Sequence, residues 1–146
     1  MSHLSSIHIT YSPATIGFFE IVSAFLENEW NLNDHGAISY LPLGTNDPDD
    51  WQRGTLTEQG QILEIIQEKE KRGEFISLVI RWKNSGIGCS VLFQEKGRLT
   101  FSLDVNRKLL SDKHRFTDVS WYIDQIFPLL MSLGITIVSA DWHESI

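Results

Sequence analysis

Three segments in the middle of the chain alternate apolar and polar residues, and this alternation predicts three consecutive β-strands. The predicted strands cover residues 75–83, 87–95 and 98–105, with tight turns at 84–86 and 96–97. Such a meander has one apolar face and one more polar face. The apolar positions are Ile76, Leu78, Ile80, Trp82, Ile87, Cys89, Val91, Phe93, Leu99, Phe101, Leu103 and Val105.

Apolar residues at helical spacing predict two helices before this meander. We expect the first to start with Ser12 as N-cap and Pro13 at the first helical position. The second begins near Thr57, where Thr55 and Glu58 have capping-box spacing, and ends at Gly73. Their apolar stripes are Phe18, Phe19, Val22, Phe25 and Leu26 on the first helix, and Ile62, Leu63, Ile65 and Ile66 on the second.

A third helix is expected after the meander, with Thr117 as its N-cap, a kink at Pro128 and an end at Gly134. Alternating residues at 4–11 and apolar residues at 135–142 predict a strand near each end of the sequence. Three consecutive strands, with helices before and after them and one strand near each end of the sequence, indicate an α+β protein.

The size and composition of the chain favour one domain. With 146 residues, 42% of them hydrophobic, residues 1–146 are predicted to form a single α+β domain, an antiparallel sheet with about three helices mainly on one face. The single cysteine, Cys89, excludes an intrachain disulfide framework. The charge-free apolar run 125–140 is too short for a membrane span, and no signal peptide is visible, so a cytoplasmic location is expected.

Charge is distributed very unevenly along the sequence. Residues 1–52 contain seven acids and no base, residues 53–115 contain 12 bases and 8 acids, and residues 116–146 contain four acids and no base. The net charge of −7 argues against nucleic-acid and membrane partners and favours a basic protein partner. A small basic patch at Arg81, Lys83, Lys96 and Arg98 is weak against that charge.

Residues 44–51 combine turn-forming residues with acids, and this combination predicts an exposed loop. Upstream, a short strand is possible at 37–41. Trp51 lies beside Asp49 and Asp50, where no helix or strand pattern requires it, so it either anchors a partner or pins its own loop. The acids partly match a calcium loop, but the sixth position is Gln52 instead of glycine.

Known catalytic and metal-binding motifs are missing from the sequence, so we expect no enzyme activity, no cofactor and no metal. Cys89 is expected to be an inert core residue because it lies on the apolar face of a central strand. Asp141, His143 and Glu144 could coordinate a cation with His3 or His8 if the terminal strands pair. A solvated C-terminal segment is the favoured interpretation of that cluster.

In size, acidity and order of strands and helices, the whole chain resembles the immunity proteins of bacterial polymorphic-toxin and contact-dependent growth inhibition systems. The stretch Asp118 to Ile123, continued by 128–130 and Gly134, has the character of these small families without a diagnostic motif. The resemblance implies a cognate toxin, a cytoplasmic location and no enzymatic activity. These families are diverse in fold, so no site residue is carried over.

The leading hypothesis is therefore an inhibitor that neutralises a basic toxin domain, such as a nuclease, through an acidic surface. The candidate partner-binding residues are Glu27, Glu29, Asp34, Asp47, Asp49, Asp50, Trp51, Asp141 and Glu144. The alternatives are a small enzyme or ligand-binding domain with a pocket between sheet and helices, and a self-associating subunit that uses the polar sheet face. The sequence does not set the oligomeric state.

Overall fold

A computed structural model describes residues 3–145 of the chain, apart from the side chain of His114. The strands are β1 (Leu4–Ser12), β2 (Trp30–Asn31), β3 (Ala37–Tyr40), β4 (Gln52–Thr55), β5 (Ile76–Trp82), β6 (Gly88–Glu95), β7 (Arg98–Val105), β8 (Leu109–Ser111), β9 (His114–Thr117) and β10 (Thr136–Ser145). The α-helices are α1 (Phe18–Glu27), α2 (Gln59–Arg72) and α3 (Val119–Ser132), and a 3₁₀ turn at Leu56–Glu58 precedes α2.

Eight of the strands form one antiparallel sheet with the order β10-β1-β7-β6-β5-β3-β4, and β2 also pairs with β5. The predicted meander is confirmed as β5, β6 and β7. The strands near the two ends of the sequence pair with each other, because β1 lies beside β10. Strands β8 and β9 form a separate hairpin. The predicted α+β fold is confirmed.

One hydrophobic cluster joins the sheet to all three helices. The apolar face of the meander contributes side chains such as Leu78, Val91 and Phe101, each 2% exposed or less. The helices meet this face with Phe18 and Phe25 of α1, Ile62 and Ile66 of α2, and Tyr122, Ile126 and Leu130 of α3. Burial of this apolar area supplies the main driving force for folding, and it fills the space between sheet and helices.

The opposite face of the sheet carries mainly polar side chains. On β1, Ser6, His8 and Thr10 alternate with the buried Ile7 and Ile9. They pair across to the polar positions of β7 and β10, with His8 opposite both Thr100 and Asp141. This alternation is what the sequence predicted for a sheet with one covered face.

The starts of two helices differ from the prediction. Helix α1 begins at Phe18 instead of Pro13, because the carboxylate of Glu70 on α2 accepts the N–H groups of Phe18 (2.7 Å) and Phe19 (3.3 Å). Helix α3 is capped by Asp118, whose carboxylate accepts the Trp121 N–H (3.3 Å). The predicted cap, Thr117, belongs to β9 instead.

The termini of α2 agree with the sequence. The Thr55 N–H donates to the Glu58 carboxylate at 2.9 Å, and Gly73 ends the helix with a φ of 69°. Helix α3 runs through Pro128 to Ser132. Among residues 3–145, none of the helices has the length and apolarity that a membrane crossing requires.

Candidate partner-binding surface

The nine predicted partner-binding residues do not lie on one surface. Residues 41–51, here called the acidic loop, connect β3 to β4 at one edge of the sheet. Asp141 and Glu144 lie on β10, at the opposite edge. Glu27 and Glu29 lie where α1 ends and β2 begins. The acidic residues of the sequence are therefore divided among separate places.

The acidic loop exposes three carboxylates. Asp47, Asp49 and Asp50 are all exposed, as the sequence predicted for this loop. The carboxylate of Asp47 accepts the Asp49 N–H (2.9 Å), and its carbonyl accepts the Asp50 N–H (3.2 Å). These bonds fix a turn in which Asp49 and Asp50 are presented to solvent.

Exposed apolar side chains accompany these carboxylates. Trp51 is 38% exposed at the end of the loop, and Leu56 is 41% exposed just beyond β4. Leu43, inside the loop, is 40% exposed. Trp51 is thus partly packed against the protein and partly exposed to solvent. It can therefore both pin its own loop and anchor a partner. Large apolar groups surrounded by charge are typical of protein interfaces.

A buried ammonium group holds the acidic loop to helix α2. Lys69 is 0% exposed, and its Nζ donates to the carbonyl oxygens of Pro42 (2.7 Å) and Thr45 (3.1 Å) and to the carboxylate of Glu74 (3.0 Å). An ammonium has three N–H donors, so all three are satisfied. A buried charge is tolerated only with such partners, and it therefore fixes the position of the loop.

Glu74 completes this attachment. Its carboxylate also accepts the Gly44 N–H (2.8 Å), and the side chain of Asn46 accepts the Phe75 N–H (3.0 Å). Burial alone would raise the pKa of Glu74, but the Gly44 N–H and the Lys69 ammonium outweigh it and hold the pKa below its usual value. The carboxylate is thus ionised at neutral pH and available to Lys69.

Asp34 is a structural residue rather than a free acid. Its carboxylate accepts hydrogen bonds from Ser39 (2.7 Å) and Arg81 (2.8 Å), and it lies 3.4 Å from Arg53. Burial alone would raise its pKa, but Ser39 and the two arginines outweigh it, so the pKa is lower than usual. Because Arg81 is itself buried, Asp34 provides its counter-charge beside β3 and β5.

Glu144 is also engaged inside the protein. Its side chain is 4% exposed, it accepts the Thr117 N–H (3.0 Å), and it lies 3.3 Å from the guanidinium of Arg107. His3 contacts the same carboxylate. Glu144 therefore joins the β8–β9 hairpin to β10 and presents little charge to solvent.

Glu27 and Glu29 border a shallow groove of about 460 Å³ that Trp82, Asp124 and Leu129 also line. Glu29 pairs with Lys83 at 2.8 Å, and the Lys83 ammonium lies 4.9 Å from the centre of the Trp82 ring. The groove therefore already holds one cation against an indole and a carboxylate. This arrangement suits a guanidinium or ammonium group.

The remaining candidate chemistry is limited. Cys89 is fully buried, as predicted, and burial raises the pKa of its thiol well above the usual value. The terminal strands do pair, yet among the side chains that the structure describes, which exclude His114, no group of three or more His, Cys, Asp or Glu is arranged to hold a metal ion. In the weak basic patch, Arg81, Lys83 and Arg98 are each in an ion pair with a carboxylate.

Sequence reasoning missed Lys69, the residue on which the loop depends. In the sequence it is one of three basic residues in the last turn of the helix, with Lys71 and Arg72. A signal was present, because Lys69 lies in phase with Ile62 and Ile66 on the apolar side of that helix. A lysine in such a stripe is expected to have buried acceptors.

We predict that Lys69→Met lowers the free energy of unfolding by about 3 kcal/mol, because Glu74 and two carbonyls lose a buried cation. Urea unfolding measures this loss, and hydrogen exchange of residues 42–46 should become faster. Lys71→Met, an exposed position on the same helix, is the control and should change stability by less than about 0.5 kcal/mol. Equal effects of the two variants would contradict the proposed role of Lys69.

We predict that Asp34→Asn destabilises the protein by about 2 kcal/mol at neutral pH, because Arg81 loses its counter-charge. The folded-state pKa of Asp34 is lowered, so its contribution is present above the ordinary value of 3.8 and is lost as the pH falls through the folded pKa. Urea unfolding at neutral and acid pH tests this, with Asp50→Asn as the exposed control. A difference from wild type that does not shrink in acid would refute it.

Comparison of the chain with protein-family models, with curated proteins and with solved structures gives no match.

Proposed function

We propose that this protein is an immunity-type inhibitor that binds and neutralises a basic toxin domain through the acidic loop. The observation that carries the proposal is the loop itself. Three exposed carboxylates and the partly exposed Trp51 lie on a segment that the buried Lys69 holds in place. A surface that is already ordered loses little conformational freedom when it binds.

The charge pattern supports a basic partner. The loop belongs to the stretch of 52 residues that has no lysine or arginine, so its carboxylates have few cations nearby in sequence. The negative electrostatic field of these carboxylates accelerates the encounter with a positively charged surface. A nuclease domain must have a positively charged surface to hold phosphates, and an acidic loop is complementary to it.

The proposal implies a cytoplasmic location and requires no catalytic activity of this protein. An inhibitor protects the cell when the toxin reaches the cytoplasm, so we place this protein there. Neutralisation by occupation of the toxin surface requires no chemistry from the inhibitor. Fast association is useful because the toxin is active before it is bound.

A second candidate function rests on the groove beside Trp82. The ring of Trp82 with the carboxylates of Glu27, Glu29 and Asp124 fits a small cationic ligand in place of Lys83. The groove lies at the surface, since the space between sheet and helices is filled by the hydrophobic cluster. Glu27→Gln should weaken the binding of such a ligand to the groove and leave the binding of a toxin to the acidic loop unchanged.

We predict that reversing Asp49 and Asp50 to Lys slows association with the toxin about tenfold at low salt and reduces its salt dependence. We expect Trp51→Ala to act mainly on dissociation and to raise the off-rate about thirtyfold, as the loss of an interface anchor does. Surface plasmon resonance against a partner captured from the source cells measures both rates.

The control for these variants is Asp112→Lys, which reverses an exposed acid in the β8–β9 hairpin. It changes the net charge in the same direction, but its hairpin contacts β10 through Thr117 and Glu144, at the edge of the sheet opposite the acidic loop. Unchanged rates for the loop variants would exclude the loop as the interface. Equal slowing by Asp112→Lys would mean that net charge, and not the loop, governs association.

A further inference from the structure

Strand β10 forms a long free edge of the sheet. It has ten residues and pairs only with β1 among residues 3–145, so its outer N–H and C=O groups are open to another strand. The opposite edge strand, β4, has only four residues. β10 is therefore the edge that offers the longer row of backbone partners.

The usual protections of an edge strand are weak here. β10 contains neither lysine nor proline, which commonly block edge-to-edge pairing. One protection is present near the start of the strand, where a register shift between Thr10 and Tyr11 leaves Val138 without a partner on β1. From Ser139 to Ser145 the pairing with β1 is regular, so this segment is an uninterrupted template for a further strand.

Exposed apolar side chains concentrate around this edge. Six of the nine large hydrophobic residues that are exposed in the described structure lie on β10, on its neighbour β1, on α3 or in the β8–β9 hairpin: Leu4, Leu110, Phe116, Met131, Val138 and Trp142. Helix α3 packs against β10, and the hairpin contacts it through Thr117 and Glu144. Two of these residues, Val138 and Trp142, lie on the edge strand itself, and exposed apolar side chains on a free edge are typical of an interaction site.

Residues 139–145 can pair with the same residues of a second copy in a register that places complementary side chains opposite each other. Two antiparallel copies centred on Trp142 place Asp141 of each copy opposite His143 of the other, and each Trp142 opposite its counterpart. Asp141 and His143 share the polar face, opposite His8 and Ser6, whereas Trp142 lies on the helix-covered side with Ile7. A twofold axis perpendicular to the sheet keeps each face on its own side.

Asp141 and His143 are available for such contacts. With the side chain of His114 left aside, the ion pairs and side-chain hydrogen bonds formed within residues 3–145 do not include either of them. A histidine ring N–H donates to a carboxylate in either protonation state. The other acid of the segment, Glu144, is already paired with Arg107, so the net charge of −7 does not concentrate at this edge.

We propose that the protein forms a homodimer by antiparallel pairing of β10 with β10 of a second copy, centred on Trp142. The occupant is a second copy because the Asp141–His143 complementarity arises between two identical strands and occurs twice. The dimer joins two eight-stranded sheets edge to edge. Both acidic loops remain at the outer edges, so dimer formation does not depend on toxin binding.

Light scattering after size-exclusion chromatography tests the dimer directly, at increasing concentrations of the full chain. We expect a species of twice the 16.7 kDa chain mass. Asp141→Lys and His143→Glu should each raise the dimer dissociation constant about tenfold, because two contacts are lost per dimer. The double variant Asp141→Lys with His143→Glu restores opposite charges across the axis and should recover the dimer.

A monomer at every concentration would overturn the proposal and leave the β10 edge to a strand of a different protein. A dimer that none of these variants weakens, or that the double variant does not restore, would overturn the proposed register. Circular dichroism of each variant confirms that it is folded. Both altered side chains lie at exposed positions, where substitution leaves the core intact.

A cysteine cross-link tests the register independently. Trp142→Cys places a thiol at the twofold axis, so mild oxidation should produce a covalent dimer. Thr136→Cys lies outside the regular segment and is the control. The native Cys89 is fully buried and does not compete. Cross-linking at 136 but not at 142 would contradict pairing centred on Trp142.

Discussion

The buried ammonium of Lys69 is the interaction on which the candidate site depends. Two of its three acceptors are carbonyl oxygens of the acidic loop, and the third is the carboxylate of Glu74, which follows helix α2. Without this cation, the carboxylates of Asp47, Asp49 and Asp50 would lie on a loop with few apolar contacts and a large conformational freedom. With it, the loop is joined to a helix that packs on the main core through Ile62 and Ile66.

The sheet separates two surfaces with different character. One edge presents the acidic loop with Trp51, and the other presents a long strand with Trp142 and a self-complementary pair of side chains. The sequence does not distinguish acids that face solvent from acids that are paired inside the protein. In the structure, Asp34 and Glu144 neutralise buried or half-buried arginines. The charge available to a partner is therefore more localised than the net charge indicates.

Much of the fold was predictable because it depends on local periodicity. The meander, the apolar stripes of the helices and the exposed loop all follow from residues close in sequence. Contacts between distant residues could not be predicted, such as Glu70 capping α1 from α2, or Asp34 pairing with Arg81. Strand β4 was missed because its four residues are largely polar, and only the neighbouring β3 defines it as a strand.

The most direct test of the central claim, that the acidic loop is the toxin interface, is hydrogen–deuterium exchange of the protein alone and with its captured partner. If the claim is correct, amides in residues 41–56 should be protected in the complex, while those beside the Trp82 groove should exchange as in the free protein. Protection confined to the groove or to β10, with unchanged exchange in residues 41–56, would contradict it.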